Sequence, residues 1–311
     1  MTRLLHQPRR RALLSVLAGA PLLGCAASAR QDAQDAPVVE VLNVQGAELE
    51  VQFAPGLTPP LQALALLWVR RCALAVTAYF GRFPLPQVEL LLVPADGAGV
   101  QRGGVSDAEP APLLRVRLGR DTTAAQFADD WILVHEMVHL AIPRVPRSQN
   151  WLHEGIATYV EALARGRAGM LSASTVWQAW KREMPHGLPR EGDRGLDHTP
   201  TWGRTYWGGA LFGLLADIET RRRGSATRGL QHALQGVLAA GGDYRVAWPV
   251  ARFLATADRA VGQTALTELY EQVKDRAVHT DLPALWRDLG VTDAQLRDDA
   301  PLAAIRRAIL A

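Results

Sequence analysis

The segment that decides the fold lies between residues 132 and 161 and reads ILVHEMVHLAIPRVPRSQNWLHEGIATYVE. Its first part is an apolar segment of helical period that Pro143 closes, and within it His135 and His139 are four residues apart. On a helix, this spacing directs both imidazoles from one face towards one point. Burying two imidazoles and the carboxylate of Glu136 in so apolar a helix is costly without a partner. The pattern therefore favours a metal ion between the histidines over a pair of hydrogen-bonded core histidines.

A catalytic zinc ion usually has three protein ligands and an open fourth position, so a third ligand is needed. The second part of the segment supplies two candidates, His153 and Glu154. Residues 144–150 turn the chain, and an antiparallel helix beginning near Asn150 returns to the level of the histidines, with Gly155 allowing the two backbones to approach. Neighbouring residues leave a helix about 100° apart, so the two candidates cannot both point at the metal. We favour Glu154, and His153 stays the competitor.

Two motifs in this segment resemble those of the gluzincin zinc metallopeptidases, which include the glycyl aminopeptidase and leukotriene hydrolase/aminopeptidase families. His135–His139 matches H-E-x-x-H, and Trp151–Glu161 matches the helix W-L-x-E-G-x-A-x-Y-x-E. The resemblance implies that one Zn²⁺ is bound per chain. It also implies that Glu136 is the general base, which takes a proton from the attacking water during peptide hydrolysis. The implied zinc ligands are His135, His139 and Glu154.

The resemblance extends to two further residues. Tyr206 lies in a segment that is similar to the Y-x-x-G-A helix start, which carries the catalytic tyrosine of those families and would stabilise an oxyanion here. An aromatic residue at a helix start is also what plain packing would give. Glu161 could accept a hydrogen bond from the imidazole of a metal ligand and so orient it, or be a solvated helix charge. A metzincin is excluded, because its longer motif requires a glycine and a histidine where this chain has Ile142 and Val145.

Substrate recognition departs from the large aminopeptidases of the same class. Their G-x-M-E-N segment, which grips the free amine of a substrate, has no counterpart in this sequence. In its place, Arg102–Asp107 precedes a predicted strand, and such an edge could hold an extended peptide by β pairing. Endopeptidase and exopeptidase action both stay open. Trp202 and Trp207 are candidates for lining the cleft.

The order of periodic segments predicts an α+β fold. A small mixed sheet comes first, from a hairpin over Val38–Phe53 around Gly46, a buried strand at Val88–Val93 and a strand at Leu113–Leu118 that is a candidate sheet edge with one wet face. We expect a sheet half (38–121), a helical half (122–311), and a thermolysin-like gluzincin core with the zinc site in the cleft between them. Helical period and composition predict helices over 60–80, 122–142, 151–165 and 172–183, with several more between 206 and 309.

The N-terminus has the features of an export signal over residues 1–24. The basic residues Arg9–Arg11 precede an apolar run, Ala12–Leu23, that is too short for a permanent membrane helix. The run ends in LLGC, which resembles the lipobox of bacterial lipoproteins and implies a lipid anchor on Cys25. An ordinary signal peptide cut shortly afterwards is the alternative, and both the general secretory and the twin-arginine route stay open. Residues 25–37 are small and polar, as a tether would be.

Charge and cysteine content narrow the possible partners. The chain has 34 basic and 31 acidic residues, and removal of residues 1–24 takes away four arginines and no acid, which leaves 30 basic residues against 31 acidic. A near-neutral protein lacks the concentrated positive charge that nucleic-acid binding requires, so no nucleic-acid partner is expected. With Cys25 lipidated, the second cysteine, Cys72, has no partner for a disulfide and is predicted to be a core residue.

These observations favour an exported zinc metallopeptidase that is lipid-anchored in the cell envelope, faces the periplasm and acts on a peptide or protein. The alternative is a zinc-stabilised envelope lipoprotein that binds a partner and catalyses nothing. A third hypothesis is a zinc hydrolase of another amide, such as one in cell-wall peptides. The presence of Glu136 favours catalysis, because a purely structural zinc site needs no base.

Overall fold

The computed structural model describes residues 38–108 and 111–311. The predicted signal segment, the lipid attachment at Cys25 and the predicted tether therefore lie outside the described residues, and they stay predictions. The division into a sheet half (38–121) and a helical half (122–311) also stays a prediction.

A six-stranded mixed sheet opens the described chain, with strand order β1-β2-β3-β6-β4 and with β5 also paired to β6. β1 and β2 form the predicted antiparallel hairpin, and its turn is built on Gln45 and Gly46, which have positive φ angles of 46° and 89°. β2, β3 and β6 run parallel to one another, with β3 between the other two. The strands are β1 Val38–Val44, β2 Ala47–Phe53, β3 Gln87–Ala95, β4 Val100–Arg102, β5 Val105–Ser106 and β6 Leu113–Gly119.

The position of β6 differs from the prediction that it forms an edge. β6 is internal, because β4 and β5 pair antiparallel to its outer side. These two strands escaped prediction because they are short and Gly103 and Gly104 interrupt them. The predicted wet face is confirmed, since the side chains of Arg115 and Arg117 on β6 are exposed. The edge of the sheet on this side is therefore the β4–β5 segment.

Helices make up most of the remaining chain, and the α+β prediction is confirmed. The longest, α1, is apolar enough to cross a membrane by length and composition, but 56% of its most apolar 18-residue window is buried within the protein. Cys72 on α1 is fully buried, as predicted. The helices are α1 Pro59–Phe80, α2 Ala124–Asp129, α3 Ile132–His139, α4 Asn150–Arg167, α5 Ala173–Glu183, α6 Gly209–Arg223, α7 Leu230–Ala239, α8 Val250–Val261, α9 Ala265–Val273, α10 Leu282–Leu289 and α11 Ala303–Leu310.

The single helix predicted over 122–142 is in fact two helices, α2 and α3, with a break at Asp130 and Trp131. The buried carboxylate of Asp130 causes the break, because it accepts hydrogen bonds from the backbone N–H groups of Ile132 (3.0 Å) and Leu133 (3.2 Å). It also accepts one from the indole Nε1 of Trp68 on α1 (3.1 Å). Asp130, to which the sequence assigned no role, thus fixes the start of the helix that carries both histidines.

The start of α4 is fixed by a second hydrogen-bond node, centred on the half-buried Asp197. Its carboxylate accepts hydrogen bonds from the Gln149 amide (2.8 Å), the Trp151 indole (2.7 Å) and the Tyr270 hydroxyl (2.8 Å). These donors come from the turn before α4, from α4 itself and from α9. The node therefore ties the helix that carries Glu154 to the C-terminal helices.

We expect Asp197→Ala to lower the free energy of unfolding by about 2–3 kcal/mol, because it leaves buried donors without an acceptor. Chemical denaturation monitored by circular dichroism measures the change. Asp293→Ala is the matched control, since the Asp293 side chain is 97% exposed and pairs only with Lys181 across the surface. The control should change stability by less than about 0.5 kcal/mol. A similar effect of both substitutions would contradict the proposed role of the node.

Candidate metal centre and catalytic cleft

Helices α3 and α4 bring His135, His139 and Glu154 together. Both histidines are buried, with relative exposures of 4% and 3%. Their Nε2 atoms lie 3.2 and 3.5 Å from Oε2 of Glu154. The three ligand atoms all lie within 4.8 Å of one another. The i, i+4 spacing on α3 thus directs both imidazoles towards one point, as predicted. The third group comes from the antiparallel helix α4.

The donor set fits a zinc ion. In a tetrahedral site with bonds of about 2.0–2.1 Å, neighbouring ligand atoms are about 3.3 Å apart. The two histidine–carboxylate separations of 3.2 and 3.5 Å lie on either side of that value. Burial alone would raise the pKa of Glu154, but hydrogen bonds to His135 and His139 hold the pKa well below its ordinary value. The group therefore offers an anionic oxygen and two imidazole nitrogens, which is a zinc-binding chemistry.

His153, the competing third ligand, does not join this group. Its ring stacks face to face on that of His139, with centroids 4.3 Å apart and an interplanar angle of 2°. Its Nε2 atom is buried and has no hydrogen-bond partner among the described residues. Burial holds the pKa of His153 well below its ordinary value, so the ring is neutral. His153 packs against a candidate ligand and lines the cleft.

Glu136 lies beside the metal group and beneath the sheet edge. Gly103, between β4 and β5, is so close that a Cβ atom there would lie 2.6 Å from Cγ and 2.9 Å from Oε1 of Glu136. Burial raises the pKa of Glu136. The carboxylate is therefore held at the floor of the cleft, next to the sheet edge, with a basicity above that of an ordinary glutamate.

Tyr206 lies on the opposite wall of the cleft, in a π-helical turn, Gly203–Gly208, that leads into α6. Its ring centroid is 6.2 Å from that of His135. Burial and the charges of Glu154 and Glu136 raise the pKa of Tyr206 to about 12. The phenol therefore stays protonated at neutral pH and can donate a hydrogen bond. Single π-helical turns of this kind are frequent at functional sites.

A glycine pair sets the distance between α4 and α6. A Cβ atom at Gly155 would lie 2.2 Å from the Cα atom of Gly209, and one at Gly209 would lie 2.2 Å from the carbonyl oxygen of Trp151. The prediction that Gly155 allows α4 to approach α3 is wrong, since the atoms nearest to Gly155 belong to Gly209 and Ala210 of α6. The close crossing places Tyr206, three residues before Gly209, beside Glu154, the residue before Gly155.

Glu161 does not accept the predicted hydrogen bond from a ligand imidazole. Its carboxylate pairs with Arg165 at 3.4 Å, and their side chains are 14% and 7% exposed. The Nδ1 atoms of His135 and His139 have no hydrogen-bond partner among the described residues, so neither imidazole donates to Glu161. The solvated alternative does not hold either, because only 14% of the side chain is exposed, and this burial raises the pKa of Glu161 to about 7. Glu161 forms the buried floor of a neighbouring pocket.

The cleft over the metal group has a volume of about 670 Å³. The edge segment from β4 to β5 forms one wall, and the hydroxyl of Tyr244 donates a hydrogen bond to the carbonyl of Val105 at 3.1 Å, which ties that edge to the helical part. Sequence reasoning missed Tyr244 and Gly103. Only the position of the Gly-Gly pair before a strand could have indicated Gly103, and no local signal marks Tyr244.

No protein-family model matches this sequence, and no curated protein sequence matches it. Several solved structures are similar in fold. An aminopeptidase N family protein from Idiomarina loihiensis has a TM-score of 0.60 at 10% identity, over 82% of this chain and 49% of its own. A two-domain M1 zinc metallopeptidase variant bound to L-arginine has a TM-score of 0.51 at 16% identity, over 80% and 54%. An M1 zinc metallopeptidase from Deinococcus radiodurans has a TM-score of 0.50 at 18% identity, over 79% and 53%.

These similarities establish a class of fold. At identities of 10–18% the likeness concerns the fold alone, and the fold of this chain is similar to part of the fold of M1 zinc metallopeptidases and of an aminopeptidase N family protein. The chain spans about half the length of these structures. The group formed by His135, His139 and Glu154 lies within this fold.

Proposed function

We propose that the protein is a zinc-dependent metallopeptidase of the gluzincin type, with His135, His139 and Glu154 as zinc ligands. The observation that carries the proposal is the convergence of two buried imidazoles and an anionic carboxylate within 4.8 Å, beside the carboxylate of Glu136 on the helix that carries both histidines. The similarity in fold to M1 zinc metallopeptidases supports it. A purely structural site would not require Glu136 at the floor of an open cleft.

The proposed mechanism divides the chemistry between the metal and the chain. Zinc, when bound, supplies Lewis acidity that polarises the scissile carbonyl and acidifies water. Glu136 accepts the proton of the attacking water and later delivers it to the leaving amine. Its burial and raised pKa suit both steps, because a group that first accepts and then delivers a proton works best when its pKa lies closer to the working pH than that of an ordinary glutamate. Tyr206 donates a hydrogen bond to the developing oxyanion from the opposite wall, where its phenol is protonated.

The cleft favours an extended peptide over recognition of a free amino terminus. Arg102 and Arg147 line it, together with Arg144, which pairs with Asp107 at 2.5 Å. Among its described lining residues, the only carboxylates are those of Glu136 and Glu154, and both have roles at the centre. No acid is left to bind an α-ammonium group. We therefore propose that peptides bind by β pairing to the β4–β5 edge and not through their amino terminus.

The location and the anchor are part of the proposal and rest on the sequence. The basic and apolar character of residues 1–24 supports export, and the LLGC motif supports lipid attachment at Cys25. The proposed place of action is therefore the cell envelope, facing the periplasm, with a peptide or protein as substrate.

Incubation of the purified full chain with a defined peptide mixture, followed by mass spectrometry, tests the proposed activity. We expect new fragments that disappear when a chelator removes the metal and return when one equivalent of zinc is restored. Absence of any fragment from zinc-loaded protein would contradict the peptidase proposal and favour a zinc-stabilised binding protein. Cleavage that persists after complete metal removal would contradict the role of zinc.

A further inference from the structure

A second pocket opens directly beside the candidate metal centre. Its volume is about 470 Å³, which is in the range of pockets that bind small ligands. Trp131, His135 and Tyr206 line both this pocket and the main cleft. The pocket therefore begins at a candidate zinc ligand and at the proposed oxyanion donor, so a group that enters it belongs to a molecule bound at the metal centre.

The walls of the pocket are rich in indole rings, those of Trp131, Trp202 and Trp207. Trp131 and Trp202 are among the few large hydrophobic residues exposed in the described part of the chain, at 47% and 61%. The Trp202 ring lies 6.5 Å from that of Tyr206, which places it at the mouth shared with the cleft. Exposed aromatic side chains grouped at a pocket are typical of surfaces that bind an apolar partner.

The charges in the pocket are already compensated. On the floor, Glu161 pairs with Arg165 at 3.4 Å, and both side chains are largely buried. At the rim, Arg182 pairs with Glu183 at 2.7 Å. A charged group entering the pocket would therefore lose its hydration and compete with these existing pairs. The pocket suits a flat apolar ring that stacks on the indoles.

We infer that this aromatic pocket, formed by Trp131, Trp202 and Trp207 above the Glu161–Arg165 pair, selects peptides with an aromatic side chain at a residue next to the scissile bond. The inference rests on the proposed peptidase function and names its substrate class. A stacked phenyl or indole ring buries far more apolar surface there than a methyl group does. Selection therefore appears as a higher kcat/KM for peptides that carry the ring at the right position.

A positional scan tests the inference. Eight-residue peptides of Ala and Ser with blocked ends each carry a single Phe, which moves along the series, and the zinc-loaded full chain is assayed with each. We expect the cleaved bond to follow the Phe at a fixed offset, with kcat/KM about 30-fold higher than for the peptide without Phe. Cleavage at bonds that do not depend on the position of Phe would overturn the inference.

Substitution of Trp202 then locates the selectivity. Trp202→Ala should reduce the 30-fold ratio to about threefold, because it removes an exposed ring on which the substrate stacks and leaves the core intact. Leu67→Ala is the control, since Leu67 is a 67% exposed apolar residue on α1 that does not line the pocket. The control should keep the full ratio. A full ratio in Trp202→Ala would also overturn the inference.

The two levels of the proposal fail in different ways. If zinc-loaded protein cleaves the peptides without aromatic preference, the pocket assignment is wrong and the peptidase function stands. If it cleaves none of them and none of the peptide mixture, the proposed function fails, and the inference falls with it.

Discussion

Peptide hydrolysis by Glu136→Gln is expected to be about 10²- to 10⁴-fold slower than by the wild type, with the zinc content unchanged. Glutamine has nearly the shape of glutamate, so it fits under Gly103, where the Glu136 side chain makes its closest contacts. It cannot accept the proton of the attacking water, and the proposed mechanism has no other base at that place. Steady-state kinetics on one cleaved peptide, together with elemental analysis, measures both quantities.

Glu48→Gln is the matched control, because Glu48 is an exposed residue on β2 and the substitution is the same. It should change the rate by less than about twofold. An active Glu136→Gln variant that retains zinc would contradict the role of general base. An inactive variant that has lost zinc would show that the activity is lost together with the metal. It would contradict the assignment of Glu136 as a residue that does not bind zinc.

Gly155→Ala is expected to disrupt the candidate metal centre, although Gly155 is not one of its ligands. The new Cβ atom would lie 2.2 Å from the Cα atom of Gly209, in a contact between two helix backbones that have no side chain to move. The helices α4 and α6 must separate, and Glu154 and Tyr206 would move apart with them. Alanine favours a helix by about 1 kcal/mol over glycine, but we expect the clash to dominate and to lower the free energy of unfolding by at least about 3 kcal/mol. Zinc affinity should fall as well.

Gly166→Ala, in the same helix α4, is the matched control. Its Cβ atom would meet Cδ2 of Leu310 at 2.8 Å, and the end of that side chain can move aside. Chemical denaturation and zinc titration of both variants separate a general effect of alanine in α4 from the effect of the crossing. Equal stability of the two variants would contradict the role of the Gly155–Gly209 contact.

Local sequence signals were sufficient for the helices that carry the candidate ligands. The spacing of His135 and His139 is a property of a few neighbouring residues, and the structure has both imidazoles on one buried helix, although α3 ends at His139 and not at Pro143 as predicted. The hairpin around Gly46 is local in the same way, since its turn requires positive φ angles. Such features can be predicted because the chain sets them within a turn or two.

The features that the sequence did not reveal depend on contacts between distant parts of the chain. Asp130 interrupts a long helical pattern because Trp68, 62 residues away, and two backbone N–H groups bind its carboxylate. The partner of Gly155 could not be identified, because glycine allows a close approach from any neighbour. The carboxylate of Asp197 accepts hydrogen bonds from segments that are far apart in sequence. Periodicity contains no information on such pairings.

The pocket beside the metal centre also has features that could be predicted from the sequence and features that could not. Trp202 and Trp207 were named as candidates for lining the cleft, and the structure places both in the pocket that adjoins it. Trp131 could not be grouped with them from the sequence, since it belongs to the start of α3. The pairing of Glu161 with Arg165 has the i, i+4 spacing of a surface ion pair, and only the tertiary structure reveals that it is buried.

Zinc content of the purified full chain, by elemental analysis, tests the central claim most directly. We predict about one zinc ion per wild-type chain, and nearly none in His135→Ala and Glu154→Ala, because each removes one of three ligands. His279→Ala, which removes an exposed histidine outside the site, should keep the metal. Wild-type protein that binds no zinc under conditions that do not strip metal, or a Glu154→Ala variant that binds as much as the wild type, would contradict the account.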